Sequence, residues 1–223
     1  MPTALNDDQS VWAFDLGMVN AYLVDDGTVT LIDAGTPGAA DDLESGLEAA
    51  GYSTDEIDRV LLTHFDLDHV GGLAPLGIEA PAYMMDPDAS MLEGSDRLPF
   101  TSKKGLLHRV TGVMLTRPNV AIERVQDGQQ IGGFTAHHTP GHTPGHVLYH
   151  HPELEVALLG DLVAEDDGTL GTPPWPLTHD NGQNRRSIRE LAERDLSFEI
   201  ACMGHGDPLT SGGDDALAVL ANR

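Results

Sequence analysis

The chain has 223 residues, enough to bury a sizeable core, and no apolar run in it approaches the roughly 18 residues needed to span a bilayer. Asp and Glu number 36 against 12 Lys and Arg, and the resulting net charge of −24 excludes a broad phosphate-binding surface and with it a nucleic-acid partner. The single cysteine, Cys202, excludes an internal disulfide. The N-terminus, Met1-Pro2-Thr3-Ala4-Leu5-Asn6-Asp7-Asp8, lacks the basic and apolar stretches of a secretion signal, so the cytoplasm is the expected compartment.

So large a like-charge excess repels itself unless salt screens it, and only two of the basic residues are lysines, Lys103 and Lys104. The pattern resembles that of proteins from salt-loving organisms. It predicts a loss of stability at low salt. Arg185-Arg186 with Arg189 is the one basic cluster, and its helical spacing reads as a solvated face.

Strands are predicted first, at Val11-Trp12-Ala13-Phe14, Ala21-Tyr22-Leu23-Val24 and Val29-Thr30-Leu31-Ile32, with Asp26-Gly27 as a hairpin turn between the last two. Ile32-Asp33-Ala34-Gly35 then leads into Thr36-Pro37, read as a helix start with Thr as N-cap and Pro in the first turn. Ala40, Leu43, Leu47 and Ala50 recur at helical spacing, and Gly51 ends the helix.

A strand over 59–63 follows, and it opens into Thr63-His64-Phe65-Asp66-Leu67-Asp68-His69-Val70-Gly71-Gly72. His64, Asp66, Asp68 and His69 are all of metal-ligand type. A loop at a strand end lets such neighbours converge while the strand fixes their origin, so the stretch reads as a metal site rather than a solvated acidic loop.

Residues 85–118 are less regular. Met84, Met85, Met91, Leu92, Leu98, Phe100, Leu106 and Leu107 lie among polar residues there, as core packing or as a cap over the site. Further strands are predicted over 121–125, 134–138, 146–150 and 156–159. A Pro-rich loop over 172–176, a helix over 183–195, a strand over 198–203 and a short C-terminal helix follow. No linker or low-complexity segment divides residues 1–223, so one domain is expected, with helices outside and two β-layers inside.

Three later residues repeat the first arrangement, each at the end of a strand-like run. His142 lies in Thr139-Pro140-Gly141-His142-Thr143-Pro144-Gly145-His146, Asp161 follows Val156-Ala157-Leu158-Leu159-Gly160, and His205 follows Ile200-Ala201-Cys202-Met203-Gly204. A glycine precedes each, which lets the backbone turn sharply and aim the side chain.

The order H-x-D-x-D-H, T-P-G-H-T-P-G-H, G-D and G-H-G resembles the motifs of the metallo-β-lactamase superfamily over nearly the whole chain. Ile32-Asp33-Ala34-Gly35 is similar to that family's supporting motif behind the ligands. The resemblance implies an α+β fold, a four-layer αββα sandwich with metals at one edge of the two sheets. It implies two divalent ions, zinc foremost. His64, Asp66 and His142 would hold one, Asp68, His69 and His205 the other, and Asp161 would bridge them. Asp66 departs from the pattern, since most members place His there. A carboxylate is a harder ligand and makes iron or manganese more competitive, and the superfamily's diiron flavoproteins carry a Glu at that place. The alternative is an Asp66 that points away and leaves the first site weak.

Two divalent ions roughly 3.5–4 Å apart can share a water and lower its pKa from near 16 towards 7. The resulting hydroxide attacks a carbonyl or phosphoryl group, and Asp68 or Asp161 passes the proton to the leaving group. The resemblance therefore implies a hydrolase of a small-molecule ester, thioester or lactone. Glyoxalase II-like thioesterases and acyl-homoserine lactonases are similar in motif order. Glutathione thioesters are not expected, because glyoxalase II's C-terminal helical domain has no counterpart, nor are β-lactams, because many β-lactamases carry Cys where Asp161 stands. A non-haem diiron redox protein, a nuclease and a non-catalytic scaffold of the same fold are the other readings. Of the remaining residues, His137, His138, His150 and His151 read as structural and His146 as a support to the site. His179 and Asp180 read as pocket lining or plain loop, and Cys202 as core.

Overall fold

The computed structural model describes residues 1–99, 103–173, 175–194 and 196–223; Phe100, Pro174 of the Pro-rich loop and Asp195 at the end of the helix predicted over 183–195 lie outside the described residues. The first sheet has seven strands that neighbour one another in chain order: β1 (Thr3–Ala4), β2 (Val11–Asp15), β3 (Asn20–Asp25), β4 (Val29–Ile32), β5 (Arg59–Leu61), β6 (Ala82–Met85) and β7 (Ile122–Val125). Pairing is antiparallel from β1 to β4 and parallel from β4 to β7. Parallel neighbours need crossovers, and helices supply them. The first is α1 (Ala40–Ala50). Next come α2 (Leu67–Val70) and α3 (Leu73–Leu76), then α4 (Asp88–Glu93) and α5 (Lys103–Thr111).

The second sheet is built from β8 (Gln130–Ile131), β9 (Phe134–His138), β10 (Val147–His151), β11 (Val156–Gly160) and β14 (Ile200–Met203), in the order β14-β11-β10-β9-β8. A hairpin of β12 (Ala164–Asp166) and β13 (Thr169–Gly171) precedes α6 (Asn181–Ala192), and α7 (Gly213–Ala221) follows β14. Asp167 and Gly168 turn that hairpin at φ of 50° and 81°, the positive pair that a tight two-residue connection requires.

The layers follow from the two-residue period of the strands. Tyr22, Val24, Ile32 and Leu61 of the first sheet pack between the sheets on Phe134, Val147, Tyr149 and Leu158 of the second. The opposite face of the first sheet, with Leu23, Leu31 and Val60, takes Leu43 and Leu47 of α1, Leu73 of α3 and Leu92 of α4. Leu148, Ala157 and Leu159 take Ile188 and Leu191 of α6 and Leu217 of α7. The result is a four-layer αββα sandwich. Every residue of β10 and β11 is buried, which is why β11 reads as an apolar run rather than an alternating one.

Local differences from the sequence reading have local causes. Pro37–Ala39 forms a 3-10 turn ahead of α1, and the Thr36 side chain makes no cap bond; Asp41 and Asp42 in the first turn complement the helix dipole instead. Gly51 ends α1 at φ 95°, as expected. The helix predicted from 183 begins at Asn181, because Asp180 accepts from Gln183 N at 2.9 Å and caps it.

Polar bonds lock the two sheets together at one end. Tyr22 Oη donates to Met203 O at 2.6 Å, and Asn20 Nδ2 donates to Gly206 O at 2.6 Å. Tyr149 Oη crosses the other way, to Leu62 O and Tyr83 O. The last residues of β4, β5, β11 and β14 run out at this end, and the ligand-type side chains stand there. No helix among the described residues is long and apolar enough to cross a membrane.

Candidate metal centre

Three of the four histidines that the sequence places at the centre, His64, His69 and His205, have Nδ1 tied to protein, which fixes where Nε2 points; His142 Nδ1 is buried without a partner. His64 Nδ1 lies 3.0 Å from Thr63 Oγ1. His69, on α2, donates from Nδ1 to Asp33 Oδ2 at 2.8 Å, and Asp33 also accepts from Thr63 N at 2.8 Å and Thr63 Oγ1 at 2.7 Å. His205 donates from Nδ1 to the Met18 carbonyl. The Nε2 atoms of His64 and His69 are thereby turned inward, fully buried and without a hydrogen bond. Leaving two buried imidazole nitrogens unpaired is costly unless they ligate something.

Asp33 thus takes the supporting role that the Ile32-Asp33-Ala34-Gly35 resemblance implies. His146 does the same for the other sheet: Nδ1 bonds Thr139 Oγ1 at 2.8 Å, and Nε2 accepts from Asp161 N at 3.1 Å. Burial pushes His146 down to about 3, so it stays neutral and keeps the lone pair that holds Asp161.

The seven residues form two groups, and Asp161 of the first also approaches His69 and His205 of the second. In the first, ligand atoms of His64, Asp66, His142 and Asp161 all lie within 4.8 Å of one another; in the second, those of Asp68, His69 and His205 do. Asp161 Oδ2 is 3.2 Å from His142 Nε2 and 3.3 Å from His205 Nε2, while Oδ1 is 3.4 Å from His69 Nε2. Asp68 Oδ2 completes the second group at 3.6 Å from His205 Nε2 and 4.0 Å from His69 Nε2. Donors around a tetrahedral zinc stand about 2.1 Å from the ion, hence about 3.4 Å from one another. The second group comes near that spacing, and among the described residues no lysine or arginine engages its inward atoms.

The charges suit a cation. Burial opposes ionisation of Asp161, but His69, His142 and His205 outweigh it and hold the carboxyl well below its usual range. Burial and the neighbouring His69 keep His64 neutral, as a ligand must be, whereas at His69 burial is outweighed by Asp161 and Asp33, which raise it, so that a metal there displaces its proton. Gly204 provides clearance: a Cβ there would come within 2.1 Å of Asp161 Oδ1 and 2.7 Å of His69 Cε1. The sharp turn expected at all three glycines occurs at Gly141 (φ 147°) and Gly160 (φ 50°), but Gly204 has no positive φ.

The first group has a feature that the sequence reading missed. Lys104, at the start of α5 and only 1% exposed, sits on Asp66. Its Nζ donates to Asp66 Oδ2, lies 2.7 Å from His142 Nε2 and donates to Leu177 O at 2.8 Å. His108, one turn further on, donates from Nε2 to Asp66 Oδ1 at 2.6 Å. Both oxygens of Asp66 are engaged, so it neither points away nor stands open. Burial opposes its ionisation, yet Lys104, His108, His142 and His64 hold it well below the ordinary range. One signal pointed here: residues 97–122 contain no Asp or Glu but five basic residues, Arg97, Lys103, Lys104, Arg109 and Arg117, in a chain of net charge −24.

Asp88 braces the same side, accepting from Phe65 N at 2.8 Å and Gly145 N at 2.7 Å. Of the other histidines, His150 bonds Ser197 O and His151 bonds Asp26 Oδ2, while His138 bonds Pro144 O. His137 accepts from Arg194. Asp180 caps α6, and His179 N donates to His142 O, which fixes the loop carrying that residue. Cys202 packs between the sheets.

Comparisons with known proteins agree with this architecture. The chain is 27% identical to the probable metallo-hydrolase YqjP of Bacillus subtilis (strain 168), over 89% of this chain and 70% of that protein. It is 32% identical to the uncharacterized protein YobT of the same organism, over 60% of this chain and 58% of the other. Among solved structures, TTHA1623 in a di-iron-bound form superposes with a TM-score of 0.67 at 29% identity, covering 96% of each chain. BJP-1, a subclass B3 metallo-β-lactamase of Bradyrhizobium japonicum, shares the fold with a TM-score of 0.71 at 19% identity, over 99% of this chain and 89% of that one. The family model of the metallo-β-lactamase superfamily matches residues 14–205, a span that holds all seven ligand-type residues, and the chain belongs to that superfamily.

Proposed function

We propose that this protein is a metal-dependent hydrolase of a small-molecule ester, thioester or lactone. The observation that carries the proposal is the inward-turned, unpaired Nε2 atom of His69 beside a buried, ionised Asp161. Asp68, His69, His205 and Asp161 form one ligand set, and His64, Asp66 and His142 are the donors of the neighbouring position. When bound, a divalent ion supplies a Lewis acid and an acidified water. Zinc suits the imidazole donors; the Asp66 carboxylate, and the di-iron form in which TTHA1623 was solved, make iron the second choice.

The two carboxylates named as catalytic differ in access. The Asp161 side chain is 6% exposed and gripped by three imidazoles, so it holds position, whereas Asp68 is 33% exposed and can trade a proton between the reacting atoms and solvent. A cavity of about 370 Å³ lies against Phe65 and against His108, the residue bonded to Asp66, and none of the seven ligand-type residues lines it. Its apolar wall includes Phe65, Met91 and Leu98, and Arg97, Arg109 and Arg117 also line it. Asp96 stands among the three arginines, and that lining suits an acyl group bearing a negative charge.

The test is elemental analysis with a turnover panel. Protein purified without added metal is expected to carry zinc, to hydrolyse at least one ester, lactone or thioester, and to lose that activity on chelation. Activity that survives complete metal removal would sink the proposal. Stoichiometric iron with visible absorbance, and no hydrolysis, would favour redox chemistry.

A further inference from the structure

The two ligand groups do not receive a cation alike. We propose that the Lys104 ammonium is the resident cation of the first group, so that the chain loads one metal tightly, at Asp68, His69, His205 and Asp161. A second ion enters only by displacing the lysine. The proposal rests on the metal-centre reading above and specifies its stoichiometry.

Three observations carry it. First, an ammonium has three hydrogens, and Nζ has three acceptors around it: Asp66 Oδ2, His142 Nε2 and the Leu177 carbonyl. Two of those acceptors are the lone pairs a first-site metal would need. With Lys104 in place His142 Nε2 is spoken for, and Asp66 is taken at Oδ2 by the lysine and at Oδ1 by His108. Second, Lys104 is almost wholly buried, and α5 packs against the Trp175–Leu177 turn that supplies the third acceptor. A buried ammonium is stable only when paired and fully hydrogen-bonded, as this one is. Third, the charges nearly close. Asp66, Asp68 and Asp161, with Asp33 bonded behind His69, bring four negative charges, against which one ammonium and one divalent ion set three positive ones. Two divalent ions together with the lysine would leave the pocket with excess positive charge, and the lysine already holds the lone pairs of Asp66 and His142, so a second ion and Lys104 exclude one another.

The experiment is a zinc titration of the chelator-stripped wild-type chain and of Lys104→Met, with bound metal counted after dialysis and the fold checked by circular dichroism. Wild type is expected to retain one zinc per chain. Lys104→Met is expected to retain two, with first-site affinity raised at least ~10-fold (about 1.4 kcal/mol). Two zinc of similar affinity in wild type would overturn the proposal and leave the hydrolase reading standing, and so would a folded Lys104→Met that still retains one. No zinc in either protein would overturn the metal centre itself. Should the variant fail to fold, anomalous diffraction from zinc-loaded wild-type crystals decides. One peak at the Asp68–His69–His205 group with Lys104 against Asp66 supports the proposal; peaks at both groups with the lysine swung out overturn it.

Discussion

The two halves of the centre, a few ångströms apart, are built on different principles. The half around Asp68, His69 and His205 is aimed by partners behind it: Asp33 on His69, the Met18 carbonyl on His205, and His146 on the backbone of Asp161. The inward Nε2 atoms of His69 and His205 face Asp68 and Asp161, and Asp161 alone reaches across to His142. The half around His64, Asp66 and His142 has equally good ligand types but is engaged from the front, by Lys104 and His108 of α5. Ligand identity in a motif therefore does not determine occupancy. What stands opposite the ligands has an equal say, and that comes from another part of the chain.

The largest expected effect lies on the residue both halves share. Asp161→Ala should lower kcat/KM by at least ~10³-fold, about 4 kcal/mol, and strip the metal while circular dichroism stays unchanged. His64→Ala should keep one metal per chain; if it also empties the centre, the halves are not separable. Next comes the support of the aimed half. Asp33→Asn keeps the size but loses the charge facing His69 and Thr63, so metal affinity measured by competition with a chelator dye should fall about 10–100-fold. On the engaged half, Asp88→Ala would strand two backbone N–H donors, at a cost of about 2 kcal/mol. That should lower the melting temperature by about 4–8 °C without changing metal content. The smallest effect is general: with a charge of −24, the melting temperature should rise by a few degrees between about 0.1 M and about 2 M potassium chloride. Equal melting temperatures would remove the argument from self-repulsion.

Much of the framework was legible because its signals are local. The apolar runs ending in Asp33, His64, Asp161 and His205 mark strand ends, and strand ends on one side of a sandwich must lie together. The α1 terminus at Gly51 and the hairpin after β3 follow from single residues. What escaped was tertiary. Lys104 gives no sign in its own neighbourhood of being buried, since a lysine beside another lysine reads as solvated. Only the want of acid over 97–122 hinted that this segment faces something negative. Gly204 was assigned a turn, although its reason is the space claimed by Asp161 and His69, which belong to two other strands' ends. Thr36 had the chemistry of a cap and did not become one, because Pro37 leads into a 3-10 turn first.

The origin of the ligands along the chain has a further consequence. His64 to His69 hang from the first sheet, and His142, Asp161 and His205 from the second, so an ion between them is a clasp across the sandwich as well as a reagent. A clasp that closes only on the native arrangement adds about 2.7 kcal/mol of stability at a hundredfold excess over its dissociation constant, or about 5–10 °C for a chain of this size. The melting temperature is thus a gauge of metal loading that works before any substrate is known, and cells short of metal would hold this protein in a looser, more easily degraded form.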